Sequence, residues 1–285
     1  MPPTDELAAV IESVVRECVA DLSQNSLPEF DGLPIWDTPE VGFADGRDPL
    51  FTRYKSLIGT FHLTPEEALE AAGREESGIR TRALTVISWV LPFTERIRRS
   101  NAIATDGPSR LWAHARTYGE QFNNFVRRRV VDELRERGFA AACPPLSPEF
   151  DCVEAPGVGL ASIWSERHIA YAAGLGTFGH HRAFISRLGS AIRLGSAVTD
   201  APIPPTPRTY SAHLENCLLA KRGRCLVCAD RCPAGAISEN GHDKEVCRDY
   251  YYRHIVPTRS GSSGVERMGC GLCTTGVPCE FEIPN

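Results

Sequence analysis

The sequence predicts an α/β core followed by a small domain in which cysteine takes the place of a hydrophobic interior. Three observations carry that prediction. Helix-like and strand-like apolar patterns alternate from residue 5 to residue 143. Pro202, Pro204, Pro205 and Pro207 then make a stiff linker. Beyond it, eight of the eleven cysteines fall between Cys217 and Cys279. The 285 residues therefore divide into a core domain, 1–205, and a cysteine-rich domain, 206–285.

Residues 5–22 read as an amphipathic helix, with Leu7, Val10, Ile11, Val14, Val15, Cys18, Val19 and Leu22 at helical spacing. Cys18 lies on that apolar face and reads as core. The stretch 24–60 is rich in Pro, Gly and Asp and reads as irregular surface loop. A second helix begins at Thr64, with Pro65 in its first position and Glu67 closing a capping box. Residues 83–90 form a buried strand stopped by Pro92. A long helix runs from about Ser109 to Arg137 and ends at Gly138. A short strand, 139–143, follows and is ended by Pro144-Pro145, which leaves Cys143 a strand residue and Cys152 a loop residue.

Composition excludes several function classes. A net charge of −5 is wrong for a protein held to nucleic acid by phosphate contacts. No apolar run reaches the length of a membrane span. The N-terminus has neither a basic region nor an apolar stretch after it, so the expected location is the cytoplasm. There thiols stay reduced, so the cysteines are ligands rather than disulfides.

Their spacing is Cys217-x7-Cys225-x2-Cys228-x3-Cys232-Pro233, then Cys247, then Cys270-x2-Cys273-x5-Cys279. Two sets of four thiolates serve two 4Fe–4S clusters or two structural zinc ions. The Cys-Pro step and the uneven spacing favour clusters and a ferredoxin-like domain. In bacterial two-cluster ferredoxins the cysteine before proline serves the other cluster. Applied here, Cys217, Cys225, Cys228 and Cys279 hold one cluster, and Cys232, Cys247, Cys270 and Cys273 hold the second. Low-potential electrons then have a path through the domain.

Two further segments carry a family resemblance. The run from Ser165-Glu166-Arg167-His168 through Ala173-Gly174-Leu175-Gly176-Thr177-Phe178-Gly179-His180 is one. Gly189-Ser190, Leu194-Gly195-Ser196 and Val198-Thr199-Asp200 form the other. With the cysteine order, they resemble the epoxyqueuosine reductase family and, more distantly, the reductive dehalogenases. The chain looks like a short paralogue without the helical-repeat tail. The resemblance implies a nitroreductase-like α/β core that holds a cobalamin beside the two clusters. By position, Gly174, Gly176, Gly179, His180, Gly195, Thr199 and Asp200 would approach the corrinoid, glycine allowing close backbone contact. It further implies electron transfer from the clusters to the corrinoid, or directly to a small-molecule substrate. The alternative is an electron-transfer or corrinoid-reactivating protein with no substrate of its own.

The family's proton-donating acid, seven residues before the arginine of its Glu-Arg pair, is Leu160 here. Its Gly-Lys-Asn is Gly179-His180-His181. His180 and His181 are therefore the candidate catalytic residues, since histidine titrates in the right range to deliver protons. His168, Tyr118 and Tyr171 read as structural, and Glu166 with Arg167 as a buried or ligand-facing pair. Lys221, Arg222, Arg224 and Arg231 surround the first cysteine group. They suit docking of an acidic ferredoxin or flavodoxin-type electron donor.

Overall fold

The computed structural model describes residues 4–72, 83–265 and 268–285. Its centre is a four-stranded antiparallel sheet with the spatial order β1 (Glu40–Asp45), β2 (Thr85–Pro92), β8 (Ile192–Thr199), β3 (Ala141–Ala142). All eight residues of β2 are buried, because helices cover both faces. Alternation along the strand divides them: Ile87, Trp89 and Leu91 enter one core, Val86 and Val90 the other. The first core packs against α1 (Thr4–Ala20) and the long helix α5 (Arg110–Glu136). The second packs against α2 (Pro49–Leu57), α3 (Pro65–Ala71) and α6 (Glu166–Ala172). The fold is mixed α/β, in an antiparallel form.

Local chemistry explains the helix ends. The Thr64 side chain accepts from the Glu67 N–H while the Glu67 carboxylate accepts from the Thr64 N–H, the expected capping box. Ser109 caps α5 by accepting from the Trp112 N–H, and Gly138 leaves the helix at φ +84°. Cys18 is buried, as its position on the apolar face requires. Between β2 and α5 lies a shorter helix, α4 (Glu95–Ala102).

Two expectations for the first hundred residues are corrected. Residues 24–60 are not a surface loop. They contain β1 and α2, and they bury Ile35, Trp36, Phe43, Phe51 and Tyr54. Asp48 accepts from the Leu50 N–H and Pro49 sits in the first turn, so residues counted as loop formers start a helix instead. Pro92 does not stop β2 before it. It occupies the last rung opposite Ile192, where the ladder ends and its missing N–H costs least.

Downstream of β3 come two hairpins, β4 (Cys152–Ala155) with β5 (Gly159–Ser162) and β6 (Gly176–Phe178) with β7 (Phe184–Ser186). Cys152 is thus an exposed strand residue rather than a loop residue. The proline-rich stretch lies along β1, where Phe43 and Thr206 exchange hydrogen bonds of 2.9 Å.

The cysteine-rich part is made of short elements: α7 (Leu218–Arg222), α8 (Val227–Asp230), the hairpin β9 (Ile237–Ser238) and β10 (Gly241–His242), α9 (Lys244–Tyr250) and α10 (Val256–Ser263). Its interior around the first cysteines is little more than Cys228, Ile237 and Val277, with Val227, Ala229 and three further cysteines against them. So small an apolar centre cannot hold such a segment alone. It is tied to the core instead. Arg231 donates to the carbonyls of Asn101, Ala104 and Thr275, and Arg98 pairs with Glu280 at 3.0 Å. Among the described residues no helix is long and apolar enough to cross a membrane.

Candidate functional site

The eight downstream cysteines gather in two groups that ignore chain order. Cys217, Cys225, Cys228 and Cys279 line one small cavity. Burial and then the neighbouring thiols Cys279, Cys217 and Cys225 push the Cys228 thiol up to about 12. The second group is Cys232, Cys247, Cys270 and Cys273. Burial raises Cys273, and the three thiols of its group raise it further. Cys270 is pushed up to about 11 in spite of the Leu272 N–H, by burial above all. Buried thiols crowded on other thiols resist ionisation unless a cationic centre takes the charge, and an iron–sulfur cluster does so. The donor sets fit two such clusters. Among the described residues no group of three or more His, Cys, Asp or Glu is placed to hold a single metal ion.

A cleft of about 820 Å³ lies between the sheet and the cysteine-rich part. The second thiol group reaches it directly, and the first lies behind His181 and Ser190, which line it. Cys270 is in its wall, and His181 lines both the cleft and the cavity of the first group. His181 is 4% exposed, with Nε2 3.5 Å from Cys279 Sγ. The Ala183 N–H donates to its Nδ1 at 3.0 Å, which puts the ring proton on Nε2, facing the sulfur. The Ser190 hydroxyl donates to the same sulfur at 3.6 Å. Burial first, then His242, His180 and Arg167, lowers His181 to about 4, so the ring is neutral near pH 7.

The floor of the cleft is an ion-pair chain. Arg127, 3% exposed, reaches Glu120 at 2.6 Å and Glu166 at 2.8 Å. Glu166 accepts from the Ser196 hydroxyl at 2.6 Å, and Ser196 accepts from Trp164 Nε1 at 2.8 Å. Glu120 also pairs with Arg193. Glu166 therefore pairs with Arg127 and not with its sequence neighbour. Arg167 donates to the Arg182 carbonyl instead.

None of the seven residues expected to approach a corrinoid lines this cleft. A Cβ on Gly195 would meet Trp89 and Asn123 at 2.4–2.5 Å, so that glycine accommodates an indole in the core. Gly176 gives way to the backbone of Ile185 and Ser186, and Gly174 to Thr206 and Pro207. Gly179 accommodates the His181 ring. Thr199 and Asp200 bond the Ala140 backbone, which secures β3. His180 turns outward, with Nε2 2.7 Å from the Ser238 carbonyl. Of the two candidate histidines only His181 faces the cleft. Tyr118 and Tyr171 are packed among aromatic neighbours away from it. Leu160 is 47% exposed on β5 and faces a separate pocket.

Sequence reading passed over Arg116, Glu120, Asn124 and Arg127. A signal was available: the four recur at i, i+4, i+8 and i+11, a polar stripe along a helix otherwise rich in buried residues. All four line the cleft.

One further histidine holds the wall in place. His62 is fully buried, stacks on Trp164 and accepts the Ser165 N–H at 3.1 Å, just before Glu166 enters α6. Burial lowers it to about 4, against an unfolded value of about 6.5. The unfolded chain thus takes up a proton before the folded one does. Stability present above pH 6.5 is expected to fall as pH drops towards 4, by about 1.4 kcal/mol per unit for this group. Urea midpoints at pH 7 and pH 5 check it: His62→Asn should flatten the slope by about one proton, and an unchanged slope would remove His62 from the account.

No family model matches the chain. An epoxyqueuosine reductase from Staphylococcus aureus is 26% identical over 211 residues, which are 70% of this chain and 49% of that protein. A second, from Aliivibrio fischeri, is 38% identical over 124 residues, 41% of this chain and 31% of that one. The chain is similar to the epoxyqueuosine reductases. It spans about half the length, or less, of these curated relatives. Solved epoxyqueuosine reductases match at TM-scores of 0.43 and 0.47. A reductive dehalogenase, whose structure suggests a mechanism for B12-dependent dehalogenation, aligns at a TM-score of 0.50 with 15% identity, over 86% of this chain and 30% of its own. That likeness is one of fold, and it extends the similarity from epoxyqueuosine reductases to the dehalogenases.

Proposed function

We propose that the protein is an iron–sulfur reductase. Cys217, Cys225, Cys228 and Cys279 hold one 4Fe–4S cluster, Cys232, Cys247, Cys270 and Cys273 the other, and reduction takes place in the neighbouring cleft. The observation that carries this reading is the position of both thiol groups beside one cleft, Cys270 in its wall and Cys279 directly behind His181. The similarity to epoxyqueuosine reductases supports it. When bound, the clusters would supply low-potential electrons and a corrinoid would supply a strongly reducing centre.

The cleft lining fits such a macrocycle in one respect. Trp112 and Arg127 line the cleft, and their Nε1 and Nε are buried donors with no partner among the described groups. They would hold the acceptor-rich arms of a corrinoid, in place of the glycines assigned from sequence. His181 keeps an N–H donor on a ligand sulfur, an arrangement that raises a cluster's potential. The electron donor is a ferredoxin or flavodoxin meeting the exposed Lys221, Arg222 and Arg224. Arg231 is spent on three backbone carbonyls and plays no part in docking. Charge reversal at the other three, with salt dependence of the reduction rate, tests that surface.

The deciding experiment is anaerobic purification with iron, cobalt and zinc analysis, then titration with hydroxocobalamin. About eight irons per chain, with turnover of a small-molecule acceptor by the dithionite-reduced protein, is the expected outcome. Zinc in place of iron overturns the reading. Eight irons without turnover of any acceptor unless a partner protein is added would indicate an electron carrier or corrinoid reactivator. Leu160 in the acid's position suits that second reading.

A further inference from the structure

Four basic side chains from both halves of the chain meet where the cleft opens outward. Arg167 comes from α6, Arg182 from the turn before β7, His242 from β10 and Lys244 from α9, and all four line the cleft. Arg182, His242 and Lys244 also line the pocket outside it, so they stand at the passage between the two. None has a carboxylate within ion-pair distance among the described residues. Arg167 donates to the Arg182 carbonyl and Lys244 to the Val158 carbonyl at 2.7 Å. His242 Nδ1 is buried with no hydrogen-bond partner among the described groups.

The acids nearby are directed elsewhere. Glu154 pairs with Arg248 at 3.0 Å, and Asp243 caps α9 by accepting the N–H groups of Glu245 and Val246. Glu245 is exposed in the outer pocket that Arg182, His242 and Lys244 share, and it forms no ion pair with them. The cations therefore act mainly on one another. His242 and Lys244 are both held below their usual ranges, by burial first and then by Arg182 and Arg167. Arg182 is also a non-glycine residue at φ +60°, a conformation that L side chains rarely adopt and that collects at functional sites. Like charges brought together without a counter-charge lower stability, and the fold gains nothing from them unless an anion enters.

We propose that Arg167, Arg182, His242 and Lys244 form an anion site, and that the small molecule reduced in the cleft carries a phosphate or carboxylate group that docks there. This rests on the reductase reading and adds the class of substrate. Guanidinium forks match the two oxygens of such groups, and a strongly hydrated ammonium completes the charge. The anion has two sources of the same chemistry, a substrate or the phosphodiester of a bound cobalamin, and the test separates them.

Pyrophosphate binding to the iron-loaded protein is measured by calorimetry, with potassium chloride at matched ionic strength as control. The wild type is expected to bind it, and Arg182→Gln and Lys244→Gln to bind about tenfold more weakly or worse. Both variants should melt no lower than wild type in the absence of anion, since each relieves repulsion. Iron content and circular dichroism establish that they fold. No binding by wild type, or equal binding by the variants (an adventitious ion only), overturns the proposal. Hydroxocobalamin and dicyanocobinamide, which lacks the phosphate, form the second arm. If Arg182→Gln weakens the first and spares the second, the site serves the cofactor and the substrate assignment falls. The reductase reading is judged separately, by iron content and acceptor turnover.

Discussion

A Cys228→Ser/Cys279→Ser variant is expected to keep about half of the wild-type iron, and a Cys228→Ser/Cys232→Ser variant very little. The contrast follows from grouping. Cys228 and Cys279 are far apart in sequence but share one cavity, whereas Cys228 and Cys232 are four residues apart and belong to different groups. The Cys228–Cys279 pair removes two corners of one cluster. The Cys228–Cys232 pair removes one corner from each. Iron and acid-labile sulfide analysis after anaerobic reconstitution, with paramagnetic resonance of the reduced protein, reads the difference. Cys152→Ser, on exposed β4, is the control and should retain full iron. Equal iron in the two double variants would sink the crossed assignment, and full iron in both would sink cluster ligation by these residues. Loss of a cluster should also loosen the cysteine-rich part, whose apolar interior is too small to stand without it.

The same contrast shows what could be read from the chain. Cysteine spacing was informative about which thiols lie together, for Cys217, Cys225, Cys228 and Cys279 line one cavity in spite of their separation in the chain. Helix limits were legible where a cap supplies a specific partner, as at Thr64 with Glu67 and at Ser109 with Trp112. Residues 24–60 misled because Pro49 and Asp48 both favour loops and start helices, and only their order distinguishes the two. The glycines misled for a related reason. A glycine reports that something comes close to the backbone, and the sequence does not say whether that is a ligand or, as at Gly195, the Trp89 indole. Apart from Arg167, which the sequence marked as buried or ligand-facing, the cleft cations were missed because they are dispersed. Arg116 and Arg127 on one helix converge with Arg167, Arg182 and Lys244 from three other places in the chain, and no short motif contains them.

Arg127→Leu is expected to destabilise the protein by about 3–5 kcal/mol, the cost of leaving a buried carboxylate without its cation. Arg127 serves Glu166 at 2.8 Å and Glu120 at 2.6 Å, and also donates to Asn124 at 2.6 Å. Glu120 keeps Arg193 when Arg127 is removed, and it is the more exposed of the two acids. Among the described residues Glu166 is left with the Ser196 hydroxyl. Glu166→Gln should cost much less, because Arg127 retains Glu120 and Asn124 and the amide oxygen can still accept from Ser196. The pH dependence distinguishes an electrostatic cause from simple loss of packing. Burial already pushes the Glu166 carboxyl above the usual range, with Arg127 and Ser196 pulling it back. Without Arg127 its folded pKa rises further above the unfolded value, so the folded variant binds the extra proton more readily. Stability then falls as pH rises, and the deficit of Arg127→Leu relative to wild type should shrink as pH is lowered through that raised pKa. Urea unfolding of both proteins from pH 8 to pH 5 measures it. A deficit independent of pH would assign the loss to packing of the Arg127 side chain, and the cleft floor would then be held by shape rather than by charge.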